Sequence, residues 1–107
     1  MNQSDIVTSI GGTLTQLDTL LMSGNPSFDS AAWQQLFALR KHLDDQQRTL
    51  VQQAIQSNDE KFQTIAATLQ AATKTLTTEI AQQAAINAII NMVSQVSANV
   101  DQLLKLA

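Results

Sequence analysis

Residues 62–107, FQTIAATLQAATKTLTTEIAQQAAINAIINMVSQVSANVDQLLKLA, decide the fold of this chain of 107 residues. Two sets of positions recur every seven residues through the stretch, separated by steps of three and four. The first set is Phe62, Leu69, Leu76, Gln83, Ile90, Ser97 and Leu104, and the second is Ile65, Ala72, Glu79, Ile86, Val93, Val100 and Ala107. Eleven of these fourteen residues are apolar, a pattern that predicts a helix with one apolar stripe.

Strong backbone breakers are confined to the first quarter of the chain, because residues 27–107 contain neither glycine nor proline. Their absence favours long helices. We therefore predict one all-α domain over residues 1–107. Its three helices span about residues 4–22, 30–56 and 58–106.

The first two helices carry their own signals. Five apolar residues make one stripe on the first helix: Ile6, Ile10, Leu14, Leu17 and Leu21. Gly11 and Gly12 interrupt that helix and allow either a bend or a close neighbour. The segment SGNPSFDS, residues 23–30, predicts a loop, and SNDE, residues 57–60, has the form of a capping box. On the second helix, Trp33 and Phe37 are expected to anchor the core of the helical hairpin.

The predicted helix lengths do not match. The third helix would be roughly 73 Å long and the second only roughly 40 Å. The favoured architecture is an elongated helical hairpin with a short N-terminal helix and a long C-terminal helix. The alternative is a four-helix bundle, in which the third helix breaks near residues 79–83, where both register positions are polar.

In the elongated hairpin, part of the distal stripe needs a cover from outside the second helix. We therefore predict that five apolar residues contact another protein or a second protomer. These protein-interaction residues are Ile86, Ile90, Val93, Val100 and Leu104. This interpretation predicts a homo-oligomer with a protein partner.

Composition argues against several other functions. The net charge is −3 and no basic cluster occurs, so nucleic acid is not an expected ligand. A single histidine, His42, and no cysteine leave too few residues for a metal site. No nucleophile–base arrangement is visible, so we expect neither an enzyme nor a cofactor. The uncharged segment of residues 80–100 is rich in Gln, Asn and Ser, which argues against stable membrane insertion.

The N-terminal sequence MNQSDIVTSIGG lacks the basic start and apolar core of a signal peptide, so we expect a bacterial cytoplasmic protein. The short leader, the helical hairpin around SNDE and a C-terminal helix rich in Thr, Gln and Ala that ends VSANVDQLLKLA resemble small helical accessory proteins of bacterial secretion loci. That resemblance implies a non-enzymatic adaptor or co-chaperone for a chaperone or secreted effector, as in type VI-like effector loading.

Two other functions fit the same sequence. A small acidic chain is also typical of an immunity or inhibitor protein that blocks a toxin, with Asp44, Asp45, Asp59 and Glu60 as its carboxylates. Because its distal helix is uncharged, the chain could also be a helical component of a membrane-active assembly.

Overall fold

The computed structural model describes residues 2–22, 30–56, 59–82 and 84–106. These residues form four helices: α1 (Gln3–Met22), α2 (Ser30–Gln52), α3 (Glu60–Ala81) and α4 (Ile86–Leu104). The predicted all-α class is confirmed. The three-helix prediction with one long C-terminal helix is wrong, because helix 58–106 is divided between Ala81 and Ile86. The alternative, a four-helix bundle with a break near residues 79–83, describes the observed architecture.

The four helices pack in a ring. Helix α1 contacts α2 and α3, α4 contacts the same two helices, and no contact joins α1 to α4 or α2 to α3 among these described elements. Helices α1 and α3 run in the same direction, since Ser9 bonds to Thr73 and Gln16 to Thr77. The connection between α2 and α3 therefore crosses one end of the bundle. The molecule measures 44 × 22 × 17 Å.

The reversal between α3 and α4 occurs without a glycine or proline. The Gln82 N–H donates to Thr78 O, and the Ala84 N–H donates to Glu79 O at 2.9 Å, which satisfies these two carbonyls in the last turn of α3. Five aliphatic side chains of α4 are almost completely buried: Ile89, Val93, Val96, Val100 and Leu103. Their burial contributes roughly 8–15 kcal/mol, whereas interrupting a helix for about four residues costs about 4 kcal/mol in hydrogen bonds. Packing therefore outweighs helix continuity.

The heptad stripe of residues 62–107 folds back on itself. Its α3 half supplies Phe62, Leu69 and Leu76 to the core, and its α4 half supplies Val93 and Val100. Helices α1 and α2 close the core with further aliphatic residues: Ile6, Ile10, Leu14, Leu17, Leu21, Leu36, Leu43 and Leu50. The length mismatch that favoured an elongated hairpin disappears, because the four helices have similar lengths.

Helix boundaries agree with the sequence at α1 and differ at α2. The predicted α2 extends to residue 56, but the helix ends at Gln52, and Ile55 enters the core from the connection. Helix α3 begins at Glu60, and its cap is Asp59, whose Oδ1 accepts from the Lys61 N–H at 2.7 Å. The predicted loop with Gly24 and Pro26, and the capping-box residue Ser57, lie outside the described residues.

Gly11 allows α1 to approach α2 closely. A Cβ atom at this position would lie 3.3 Å from Nε2 of Gln47, while a Cβ at Gly12 would meet nothing within 4 Å. The same Gln47 Nε2 donates to Val7 O at 3.0 Å. Of the two alternatives for the glycine pair, close contact with a neighbouring helix therefore applies at Gly11.

A buried polar network joins α2 to α4. Gln46 is only 4% exposed, and its Nε2 donates to Ser97 O at 3.0 Å and to Asp101 Oδ1 at 2.7 Å. In return, Ser97 Oγ donates to Gln46 Oε1 at 2.9 Å. This network explains why serine is acceptable at a core position of the heptad pattern, since buried polar groups need partners.

Candidate functional site

The five predicted protein-interaction residues do not form a surface in this fold. Ile90 is 5% exposed, Val93 and Val100 are 0% exposed, and Ile86 and Leu104 pack partly buried against the same core. The prediction depended on an apolar face that the second helix could not cover. Helix α3 now covers that face together with α2, so the stripe is available to another protein only if the bundle opens.

The exposed apolar residues lie elsewhere. Among the described residues, the large hydrophobic side chains on the surface are Met22 (85% exposed), Trp33 (38%), Phe37 (47%) and Val51 (60%). Three of the four belong to α2. Met22 is the last residue of α1, next to Leu21, whose carbonyl contacts Trp33. An aromatic pair on the surface of a chain with only four aromatic residues distinguishes this edge of the bundle.

Trp33 and Phe37 were expected to anchor the hairpin core, but they lie at its edge, with 38% and 47% of their surface exposed. The core side of α2 is marked by Leu36, Leu43 and Leu50, all 0% exposed. Each helical residue advances by about 100°, so Phe37 points about 100° away from Leu36 and Trp33 about 60° away. A helical-wheel comparison with that leucine repeat is the sequence signal that predicts their exposure.

The aromatic pair has a defined geometry. The ring centroids of Trp33 and Phe37 are 5.3 Å apart and the ring planes differ by 13°, so the rings are stacked. The indole Nε1–H of Trp33 donates to Leu21 O at 3.1 Å. Leu21 lies in the last turn of α1, where carbonyls lack helical partners. This hydrogen bond holds the indole against α1, and the stack in turn orients Phe37.

Ion pairs lie along the same edge of α2, after the aromatic pair. Arg40 contacts Asp18 of α1 at 2.7 Å through Nε and Asp44 at 3.5 Å through NH1. Arg48, whose side chain is 72% exposed, contacts Asp44 at 3.1 Å. The i,i+4 spacing of Asp44 from Arg40 and Arg48 is typical of helix ion pairs, whereas the Asp18 pair depends on how α1 and α2 face each other. Lys41 is exposed and has no ion pair among the described residues.

Six residues of α2 together form a stripe that we term the α2 outer face. It consists of Trp33, Phe37, Lys41, Asp44, Arg48 and Val51, at steps of four, four, three, four and three. Such steps place residues on one side of a helix. The stripe is apolar at both ends and charged in the middle, and it lies beside the core stripe of the same helix.

An open polar groove of about 330 Å³ lies between α1 and α3. Ser9, Thr13, Thr73 and Thr77 line it, and Lys74 is the one ionisable residue among the described residues of the lining. The hydroxyls bond within the protein: Thr13 Oγ1 donates to Ser9 O, and Thr77 lies within hydrogen-bond distance of Gln16 Oε1 and Thr73 O. The described lining therefore consists of hydroxyls and amides, several of them already bonded within the protein, and one lysine.

Metal-ligating residues do not converge in the described part of the chain, where no group of three His, Asp or Glu side chains could hold an ion. His42 is exposed. Across the described ranges, none of the helices combines the length and the hydropathy needed to cross a bilayer.

Comparison with protein-family models, with curated proteins and with solved structures found no match to this chain. The candidate site is the α2 outer face.

Proposed function

We propose that this chain is a non-enzymatic protein-binding adaptor or co-chaperone, and that its binding surface is the α2 outer face. The observation that carries the proposal is the exposed, stacked pair of Trp33 and Phe37. Aromatic residues are enriched at the centres of protein interfaces, where they supply much of the binding energy.

The rigidity of the aromatic pair supports this role. Because the Trp33 indole is bonded to Leu21 O and stacked on Phe37, little side-chain entropy remains to be lost on binding. The neighbouring ion pairs of Asp44 with Arg40 and Arg48 form a polar border of the kind found at interface rims. A partner with an apolar pocket flanked by charges would fit this surface.

The adaptor proposal is favoured over a toxin inhibitor by the same ion pairs. Inhibition of a toxin would call for clustered unpaired carboxylates on one face, but Asp44, one of the four candidate carboxylates, already contacts two arginines. Resemblance to accessory proteins of bacterial secretion loci suggests the partner classes to examine first, which are a chaperone or a secreted effector in the bacterial cytoplasm.

An affinity pull-down with three tagged proteins tests the proposal. We expect the wild type to recover a partner in stoichiometric amount, and Phe37→Gln to lose it. The matched control is Thr75→Gln, which changes an exposed residue of α3 on another side of the bundle. Equal recovery by all three proteins would contradict a role for the α2 outer face. Failure of the wild type to bind any other protein would contradict the adaptor function itself.

A further inference from the structure

We propose that a second copy of this chain docks on the α2 outer face, with the two α2 helices antiparallel about a two-fold axis. This inference rests on the proposed function, because it names a partner for the same face. Its basis is the order of residues along the stripe, which is self-complementary when one copy is reversed.

The pairing follows from the positions alone. With the axis passing between residues 42 and 43, Phe37 of one copy faces Arg48 of the other, and Lys41 faces Asp44. At the ends of the stripe, Trp33 lies one residue from the position opposite Val51. Each pair occurs twice by symmetry, as an isologous interface requires. The contacts are one cation over an aromatic ring, one ion pair and one apolar pair.

Charge decides the direction of the two helices. In a parallel pairing, Lys41 would face Lys41 and Arg48 would face Arg48, and like charges placed opposite each other oppose association. The antiparallel pairing instead places Lys41, which lacks an ion-pair partner in the described part of the chain, beside a carboxylate that is only 20% exposed. The exposed apolar ends are covered in the same arrangement.

The size of the face sets the expected strength of the dimer. Residues 33 to 51 extend over about 27 Å of helix. One helix pair of that length buries well below the ~1,600 Å² of a standard interface. We therefore expect a weak, concentration-dependent dimer. Because another protein would bind the same face, it should compete with the second copy.

Sedimentation equilibrium measures the proportion of monomer and dimer at protein concentrations from about 1 µM to about 1 mM. This range covers the dissociation constants of weak complexes. We expect the wild-type mass to rise from 11.6 kDa toward twice that value. The exposed-site variant Lys41→Asp should associate at least about ten-fold more weakly, because it opposes Asp44 of the other copy. Asp44→Lys should do the same, and an equimolar mixture of the two variants should restore the dimer. Circular dichroism verifies that each variant is folded.

Carbodiimide cross-linking of mixed ¹⁴N- and ¹⁵N-labelled wild-type protein tests the register. We expect an isotopically mixed cross-link between Lys41 of one copy and Asp44 of the other. A constant mass of 11.6 kDa over the whole range, or a dimer unaffected by Lys41→Asp, would overturn the proposal. A monomer that still captures a partner through Phe37 contradicts only the dimer. A dimer that captures nothing else contradicts only the adaptor role.

Discussion

The network of buried Gln46 and Ser97 with exposed Asp101 should stabilise the α2–α4 contact through coupled hydrogen bonds. Substituting Ser97→Ala removes the donor to Gln46 Oε1, a bond of 2.9 Å, and leaves that buried oxygen without its partner. An unsatisfied buried acceptor costs about 1–3 kcal/mol. For a domain of this size, the expected fall in Tm is roughly 4–8 °C for each kcal/mol.

Removing both polar groups should cost less than the sum of the single losses. Gln46→Leu alone deletes the donor to Ser97 O and to Asp101 Oδ1, and it strands the Ser97 hydroxyl. The double variant with Ser97→Ala leaves no stranded partner between those two residues. When both partners of a buried hydrogen bond become apolar, the loss of that bond can leave the free energy of unfolding nearly unchanged. We therefore expect a coupling energy of about 1–2 kcal/mol between the two substitutions.

Urea unfolding followed by far-ultraviolet circular dichroism measures these free energies. Ser94→Ala is the matched control, because Ser94 is exposed on the same helix and its loss should change stability by no more than about 0.5 kcal/mol. Equal effects of Ser97→Ala and Ser94→Ala, or strict additivity of the two network substitutions, would refute the reasoning that burial couples these residues.

Four further substitutions test the packing through urea unfolding. Val93→Asp places an unpaired charge at a fully buried position, so we expect the free energy of unfolding to fall by at least about 3 kcal/mol. The monomer should unfold before association is affected. A folded variant would contradict the assignment of Val93 to the core. Gly12→Ala should gain up to about 1 kcal/mol of helix propensity, while Gly11→Ala should gain less or lose stability because its Cβ meets Gln47 at 3.3 Å; equal gains would contradict the close α1–α2 approach. Glu79→Met should raise the free energy of unfolding by about 1 kcal/mol, because Glu79 Oε2 is buried without a hydrogen-bond partner in the described structure. A lower free energy of unfolding would argue that this carboxylate stabilises the nearby start of α4.

Local patterns predicted much of the fold. The stripe from Ile6 to Leu21 placed α1 within one residue of its observed start, and the heptad positions Phe62, Leu69 and Val93 are all buried. Both successes depend on the 3.6-residue period, which reports which side of a helix is apolar. The same period carries no information on what covers that side.

The position of the α3–α4 reversal could not be settled by local signals. Segment 82–85, QQAA, contains good helix formers and has no breaker, and Ala85 supplies no side-chain cap to α4. The break is a tertiary effect, because two halves of one stripe bury more apolar area against each other than a continuous helix would bury alone. Glu79, a polar residue at a heptad position, indicated only approximately where the helix breaks.

Folding back also explains why the residues predicted to bind a partner are buried or partly buried in this fold. A chain that folds back buries its most apolar stripe in its own core. The residues that remain available for binding are those exposed outside that core. On α2, the core uses the side of Leu36, Leu43 and Leu50, and the leftover side carries Trp33 and Phe37. In a small helical bundle, a binding face is therefore better sought as a second stripe, offset from the strongest one, than in the strongest stripe itself.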